Sequence, residues 1–245
     1  MPSGPPDGGR LDARVFLVGE AGTKITRESP LEQRAPEVIR LLKDEYQEAR
    51  VALLFSNPLE CLVATILSAQ ATDKKVNEVT QGFLFEKYRT AEDYLSVPES
   101  ELAKDLKPTG FFNQKTKAVR GACRMIVEEF GGKVPDSMAD LVRLPGVARK
   151  TANIVLWNSY PEKARRDPDA GVAVDTHVRR VAQRLGFTQQ KDPDKVERDL
   201  MAVVPKEDWM PFTYVLIEHG RAVCKAPTPK CEECPVNHLC PSSLV

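Results

Sequence analysis

An all-α fold is predicted by three features of the sequence. From Ala35 onward apolar residues recur at the three- and four-residue spacing of amphipathic helices. Residues that start and stop helices punctuate those runs. No stretch combines period-two alternation with hairpin turns, so no sheet is expected.

Taken in order, Met1 to Arg10 is rich in proline and glycine, and the apolar piece Val15-Phe16-Leu17-Val18 is too brief to build on, so residues 1–29 read as a flexible tail. Val38, Ile39, Leu42 and Tyr46 mark a first helix. Asn57-Pro58-Leu59-Glu60 supplies a cap, a first-turn proline and an acidic first turn ahead of Leu62, Val63, Ile66 and Leu67. Asn113 can cap a helix carrying Ala118, Val119, Ala122, Ile126 and Val127, which Gly131-Gly132 would end. Helical patterns run from Ser137 to Arg143 and from Arg149 to Asn158; residues 161–170, charged and rich in proline, read as a surface loop. Asp175 precedes Val178, Val181, Ala182 and Leu185, a run that Gly186 closes. Asp192-Pro193 opens a last helix with Val196, Leu200 and Val203 on one face.

At 245 residues with 42% hydrophobic content, the chain can fill one large core or two small ones. Apolar runs such as Ile154-Val155-Leu156-Trp157 fall far short of the ~18 residues a membrane span needs. No secretory leader opens the chain, so a soluble cytoplasmic protein without membrane contact is expected. The 35 basic and 35 acidic residues argue against a dedicated nucleic-acid binder. Their distribution argues otherwise. Lys104, Lys107, Lys115, Lys117, Arg120 and Arg124 face the single acid Asp105, and Arg143, Arg149 and Lys150 cluster without one, so a neutral total can hide a basic face.

Leu144-Pro145-Gly146-Val147-Ala148 forms a sharp turn between two helical patterns. Gly146 lets a ligand approach the backbone, and the following helix begins with free N–H groups and the positive end of its dipole, a site for phosphate. Alone, such a turn is more often a packing corner. Lys150 adds chemistry: in the first turn of a helix the dipole disfavours its charged form, and an uncharged amine is what a lysine nucleophile requires. Arg149 beside it could hold phosphate. Asp175 taken alone is an ordinary N-cap; brought near Lys150 it could accept the amine's proton and stabilise a cationic sugar.

Cys224, Cys231, Cys234 and Cys240 lie in the spacing C-x6-C-x2-C-x5-C, a metal signal in an intracellular chain. Spacing alone leaves zinc and a [4Fe–4S] cluster both open. Four thiolates leave no open coordination position, so the role is structural, with Lys225 and Lys230 presented outward. Cys61 and Cys123 read as apolar-face cysteines, and His177, His219 and His238 as packing or surface residues.

Leu67 to Asp73 (LSAQATD), Leu144 to Asn153 (LPGVARKTAN), Val174 to Val178 (VDTHV) and the cysteine loop together resemble the endonuclease III family of DNA glycosylases, in order and over roughly residues 35–240. The resemblance implies a six-helix domain, residues 52–167, carrying a helix-hairpin-helix, and a discontinuous cluster domain, residues 30–51 and 168–245, flanking a DNA-binding groove. It implies that the cluster is [4Fe–4S] and that the partner is damaged double-stranded DNA, bound by a monomer. Lys150 matches the nucleophile that attacks C1′ and forms a Schiff base, and Asp175 the catalytic aspartate. Gln70 matches the residue that fills the hole left by an extruded base. Phe111 stands where the family usually carries a leucine wedge, and Ala148 where a second hairpin glycine is common. Gly146, Arg149, Lys225 and Lys230 complete the expected DNA contacts.

The expected activity is therefore removal of oxidised pyrimidines through Lys150, followed by β-elimination. Two other readings compete. Adenine-mismatch glycosylases share the hairpin and cluster, but they lack a lysine at the Lys150 position and carry a glutamate shortly before the glutamine segment, where Cys61 to Gln70 contains no acid. A non-catalytic helix-hairpin-helix binder has no need of Lys150 with Asp175.

Overall fold

The computed structural model describes residues 24–245, and among them thirteen α-helices and no β-strand form. The apolar piece Val15 to Val18 lies outside the described residues. From Lys24 onward the expected tail is attached: the Ser29 amide donates to the Thr26 carbonyl, and Arg34 Nε donates to the Ser29 carbonyl.

The first two helices are α1 (Leu31–Glu45) and α2 (Pro58–Leu67). Asn57 caps α2 by accepting from the Glu60 amide at 3.0 Å, with Pro58 in the first turn. Every residue from Cys61 to Leu67 is buried, so α2 is a central helix apolar on all sides. A region without strong periodicity folds into α3 (Asp73–Val79), which continues through a π-helical turn at Thr80–Leu84 into α4 (Phe85–Lys87), and then into two short helices, α5 (Ala91–Ser96) and α6 (Glu99–Leu106). Thr72 caps α3, and Thr90 with Asp93 forms a reciprocal capping box on α5. The long α7 (Phe112–Phe130) ends on Gly131 at φ +59°, but its cap is Phe111 rather than Asn113. The chain enters that helix through a left-handed residue, and Asn113 lies inside its first turn.

Next come α8 (Met138–Leu141), α9 (Arg149–Ser159) and α10 (Pro161–Arg166). The last corrects the expected loop. Pro161 at N1 starts a helix, and the basic residues Lys163, Arg165 and Arg166 occupy its final turn, where they suit the helix dipole. Their charges are partly spent: Arg165 pairs with Glu162 and Lys163 with Asp136. The chain ends with α11 (Thr176–Arg184), α12 (Pro193–Val203), α13 (Trp209–Ala222) and two 3₁₀ turns among the cysteines.

A continuous apolar core joins these elements. α2 packs on α7 and α9, and α5 and α6 pack on α7. α1 and α11 both pack on α13, and α12 packs on α11. Arg34, buried on α1, donates from NH1 to the carbonyls of Leu185 and Leu239, tying the first helix to the C-terminal loop. No described helix is long and apolar enough to cross a membrane.

Candidate active site

The hairpin between α8 and α9 is held from below by buried Leu144 and Val147, whose backbones close the turn at 3.0 Å. Gly146 sits at φ +79°, and a Cβ built there would stand 2.5 Å from Ala118 Cβ on α7. Both facts require glycine. Ala148 gives α9 no side-chain cap, so the first N–H groups of this eleven-residue helix are left for a ligand.

Lys150, in the first turn of α9, and Asp175, the N-cap of α11, line one cleft. Asp175 Oδ1 accepts from the Val178 amide at 2.8 Å; Oδ2 has no hydrogen-bond partner among the described residues. Lys150 Nζ likewise makes no ion pair or hydrogen bond with a described residue. The site thus offers an unengaged amine and a half-engaged carboxylate in one recess. Ser68, Asp73, Thr213 and Arg221 share the walls. Asp73 on α3 and Arg221 on α13 pair at 2.8 Å, and Arg221 also reaches Glu218 at 3.2 Å, so these wall charges compensate one another. Ser68 and Asp73 lie in the LSAQATD stretch; Arg221 carried no local signal in the sequence.

Gln70 and Phe111 line a second recess together with Gly146. They have the only positive φ angles of any non-glycine described residues, +51° and +48°. Both side chains are exposed, Phe111 by 58%. Left-handed backbone in a glutamine and a phenylalanine costs energy, and such strain collects at functional sites. The loop before Phe111 is held by Lys115, only 4% exposed, whose Nζ donates to the Thr109 carbonyl at 2.7 Å. Burial pulls its ammonium below the usual lysine range. From the same basic run, Arg120 donates to the carbonyls of Tyr94 and Val97. Two of the six cations expected on a basic face therefore serve the interior.

The remaining basic candidates divide. Arg149 is already held: Nε and NH2 donate to Glu197 at 2.9 and 2.8 Å, and NH2 donates to the Asp169 carbonyl at 2.9 Å. Lys230 is exposed but forked against Glu233 at 2.9 Å, while Lys225 is exposed in the cysteine loop.

All six cysteines are free thiols, and Cys224, Cys231, Cys234 and Cys240 line a single cavity. Among the described residues no group of three or more such donors is gathered as for a single metal ion. Four free thiols around one shared void are a donor set that fits a polynuclear group spanning the gap between them. Arg184 NH1 donates to the Cys224 carbonyl at 3.3 Å and lies 3.4 Å from its Sγ. His219, expected as an ordinary packing residue, also belongs here. It is buried, hydrogen-bonded through Nδ1 to the Tyr46 hydroxyl at 3.0 Å, and Nε2 lies 3.7 Å from Cys234 Sγ. Desolvation pulls it down to about 4.

Comparison with known proteins gives the family. Residues 63–206 match the family described as HhH-GPD superfamily base excision DNA repair protein. The chain is 49% identical over 211 residues to the endonuclease III of Synechocystis sp., covering 86% of this chain and 93% of that one. It is 47% identical over 198 residues to the endonuclease III of Bacillus subtilis, covering 80% and 87%. A solved non-covalent endonuclease III–DNA complex superposes with a TM-score of 0.80 at 39% identity, over 86% of this chain and 96% of that one. A thermostable thymine-DNA glycosylase, 24% identical with a TM-score of 0.76, shares the fold. With the hairpin, the Lys150–Asp175 cleft and the four-thiol loop in place, the chain belongs to the HhH-GPD superfamily of base excision DNA repair proteins and, within it, to the endonuclease III family.

Proposed function

We propose that this chain is a bifunctional glycosylase and abasic-site lyase that extrudes an oxidised pyrimidine nucleotide from double-stranded DNA and attacks its sugar with Lys150. The carrying observation is the shared cleft: Lys150 unengaged and Asp175 with one free oxygen, at the foot of an uncapped helix. Extrusion costs a few kcal/mol, least for a damaged base that stacks poorly. Phe111 enters the stack as wedge and Gln70 fills the vacancy, roles that their exposure and left-handed backbones support. Phosphate lies on the free N–H groups beside Gly146, close to the backbone because no Cβ intervenes. Lys225 adds a phosphate contact from the cysteine loop. For Arg149 the favoured contribution is its backbone N–H, since its guanidinium is occupied.

The chemistry then follows from the two groups. Lys150 Nζ, as the free amine, forms a bond to C1′ as the bond from C1′ to the base breaks; the base leaves with the electron pair and takes a proton from water. Asp175 stabilises the positive charge that grows on the sugar and takes the amine's proton. Asp175 then returns that proton to O4′ as the C1′–O4′ bond opens and the nitrogen lone pair forms the C=N bond; the resulting protonated Schiff base makes the C2′ proton acidic, and its loss expels the 3′ phosphate by β-elimination. The four cysteines hold a [4Fe–4S] cluster that, when bound, pins the C-terminal loop as a staple. The chain divides at the cleft into residues 52–167 on one wall and 30–51 with 168–245 on the other, a division that the packing of α1 on α13 supports. One chain supplies both walls, and in this reading it acts as a monomer.

Borohydride reduction during incubation with a duplex carrying a ring-saturated thymine tests this reading. Wild-type protein should yield a covalent protein–DNA adduct; Lys150→Ala should bind the duplex and yield none. Absence of adduct from wild type would remove the lysine mechanism and leave a non-catalytic binder or a water-using glycosylase.

A further inference from the structure

The sequence contains a carboxylate that none of the steps above uses and that lies deeper than either catalytic group. Glu197, on α12, is only 3% exposed. An acid is rarely buried so completely unless its oxygens are satisfied. Here they are. Oε2 accepts from Arg149 Nε at 2.9 Å; Oε1 accepts from Arg149 NH2 at 2.8 Å and from Asn153 Nδ2 at 2.9 Å. Arg149 adjoins Lys150 in the chain, and Asn153 lies on the next turn of α9, so the carboxylate grips this helix at the turn that carries the amine.

The same network grips the segment that leads to Asp175. Asn153 Oδ1 accepts from the Gly171 amide at 2.8 Å, Trp157 Nε1 donates to the Gly171 carbonyl at 3.1 Å, and Arg149 NH2 donates to the Asp169 carbonyl. Residues 172–174 then run buried to Asp175. Contact with Glu197 is close: a Cβ on Gly171 would stand 2.0 Å from Oε1. Glu197 is therefore clamped between the helix that bears the nucleophile and the buried segment that ends in the aspartate.

We infer that Glu197 is a positioning residue that fixes Lys150 relative to Asp175, with Arg149 and Asn153 as its arms. The inference rests on the Lys150–Asp175 reading of the cleft. It reassigns the guanidinium of Arg149 from holding phosphate to holding the active site together. A bidentate arginine–carboxylate fork sets distance and angle together, which suits a task of alignment. As a contribution to stability, a buried ion pair is weak because desolvation offsets its attraction. Its value is in geometry: displacement of a reacting group by ~1 Å can cost about a hundredfold in rate.

Three measurements on the full chain separate the possibilities: the single-turnover rate constant and the amplitude of borohydride-trapped adduct on a duplex with a natural abasic site, and affinity for a duplex carrying a tetrahydrofuran analogue that cannot form a Schiff base. Glu197→Gln keeps the shape and removes the charge, while Gly171→Ala pushes the carboxylate aside from the opposite face. Both should lower the rate constant by roughly 10- to 100-fold. The adduct should still reach nearly full amplitude, and affinity for the analogue should stay within about twofold of wild type. If Gly171→Ala does not fold, Glu197→Gln carries the test alone. A wild-type rate constant in Glu197→Gln overturns the inference. So does a reduced amplitude at an unchanged rate constant, which assigns the network to folding, and so does weakened affinity at an unchanged rate constant, which returns Arg149 to phosphate binding. Failure of the underlying reading looks different: wild type forms no adduct, or Lys150→Ala still forms one.

Discussion

Asp175 has an ordinary structural role and a proposed chemical one, and two substitutions separate them. As N-cap of α11 it accepts the Val178 amide at 2.8 Å through Oδ1. Asparagine caps a helix about as well as aspartate, so Asp175→Asn keeps the cap and loses only the favourable charge at the dipole, about 0.3–1 kcal/mol. Alanine loses the cap outright, typically about 1 kcal/mol more, with a range of roughly 0.5–2. For a chain of this size that extra loss should lower Tm by about 2–4 °C per kcal/mol. Chemistry should not follow this ladder. Both variants remove the carboxylate, and a positioned acid–base group contributes about 10²- to 10⁴-fold. Thermal unfolding by circular dichroism should therefore rank wild type, asparagine and alanine in that order. Single-turnover trapping should place both variants together, at least about a hundredfold below wild type. A rate for Asp175→Asn indistinguishable from wild type would reduce Asp175 to a cap and refute its part in the mechanism.

Two further outcomes follow from the cysteine loop and the DNA surface. Cys231→Ala should lose visible absorption and much of its soluble yield; a stably folded, colourless protein with unchanged Tm would contradict a structural cluster. Affinity for duplex DNA should fall with salt by about 0.9 log unit per log unit of salt for each phosphate neutralised. The same titration on Lys225→Ala should show a slope shallower by about one phosphate, and an unchanged slope would remove Lys225 from the interface.

What the sequence disclosed follows the range of the interactions involved. Caps at Asn57, Asp175 and Asp192 and the left-handed stop at Gly131 bind backbone groups a few residues away, so residue type and position announce them. Thr72 and Thr90 were equally local, yet α5 and α6 are too short for periodicity to stand out, and the π-helical turn at Thr80–Leu84 shifts the register between α3 and α4. The hairpin turn, the lysine after it and the cysteine loop were legible for the same reason of locality. That Lys150 and Asp175 share a cleft was not, since 25 positions of chain separate them; only the resemblance suggested it. Charge was the least readable property. Lys115 and Arg120 have the composition of a basic face but turn inward to carbonyls, and the partner of Arg149 lies 48 positions away on α12. A run of cations states how much charge a segment holds, and only packing decides which of it reaches solvent.

At Phe111 backbone strain should make function and stability move in opposite directions. A φ of +48° costs a non-glycine residue about 1–2 kcal/mol, and the ring recovers little of it in the free protein because it is 58% exposed. Phe111→Gly removes that penalty and adds about 0.4–1 kcal/mol of unfolded-chain entropy against folding. The balance is neutral to slightly stabilising, so urea midpoints should match or exceed wild type. On DNA the same change removes a ring that stacks against exposed bases, an interaction of about 1–3 kcal/mol, so affinity for a duplex abasic analogue should drop roughly 5- to 150-fold. A variant that lost stability and kept affinity would mean that the ring packs the free protein and never enters the duplex. Retained stability with lost affinity would make the left-handed turn a cost carried by the free protein so that an aromatic edge faces the base stack before DNA arrives.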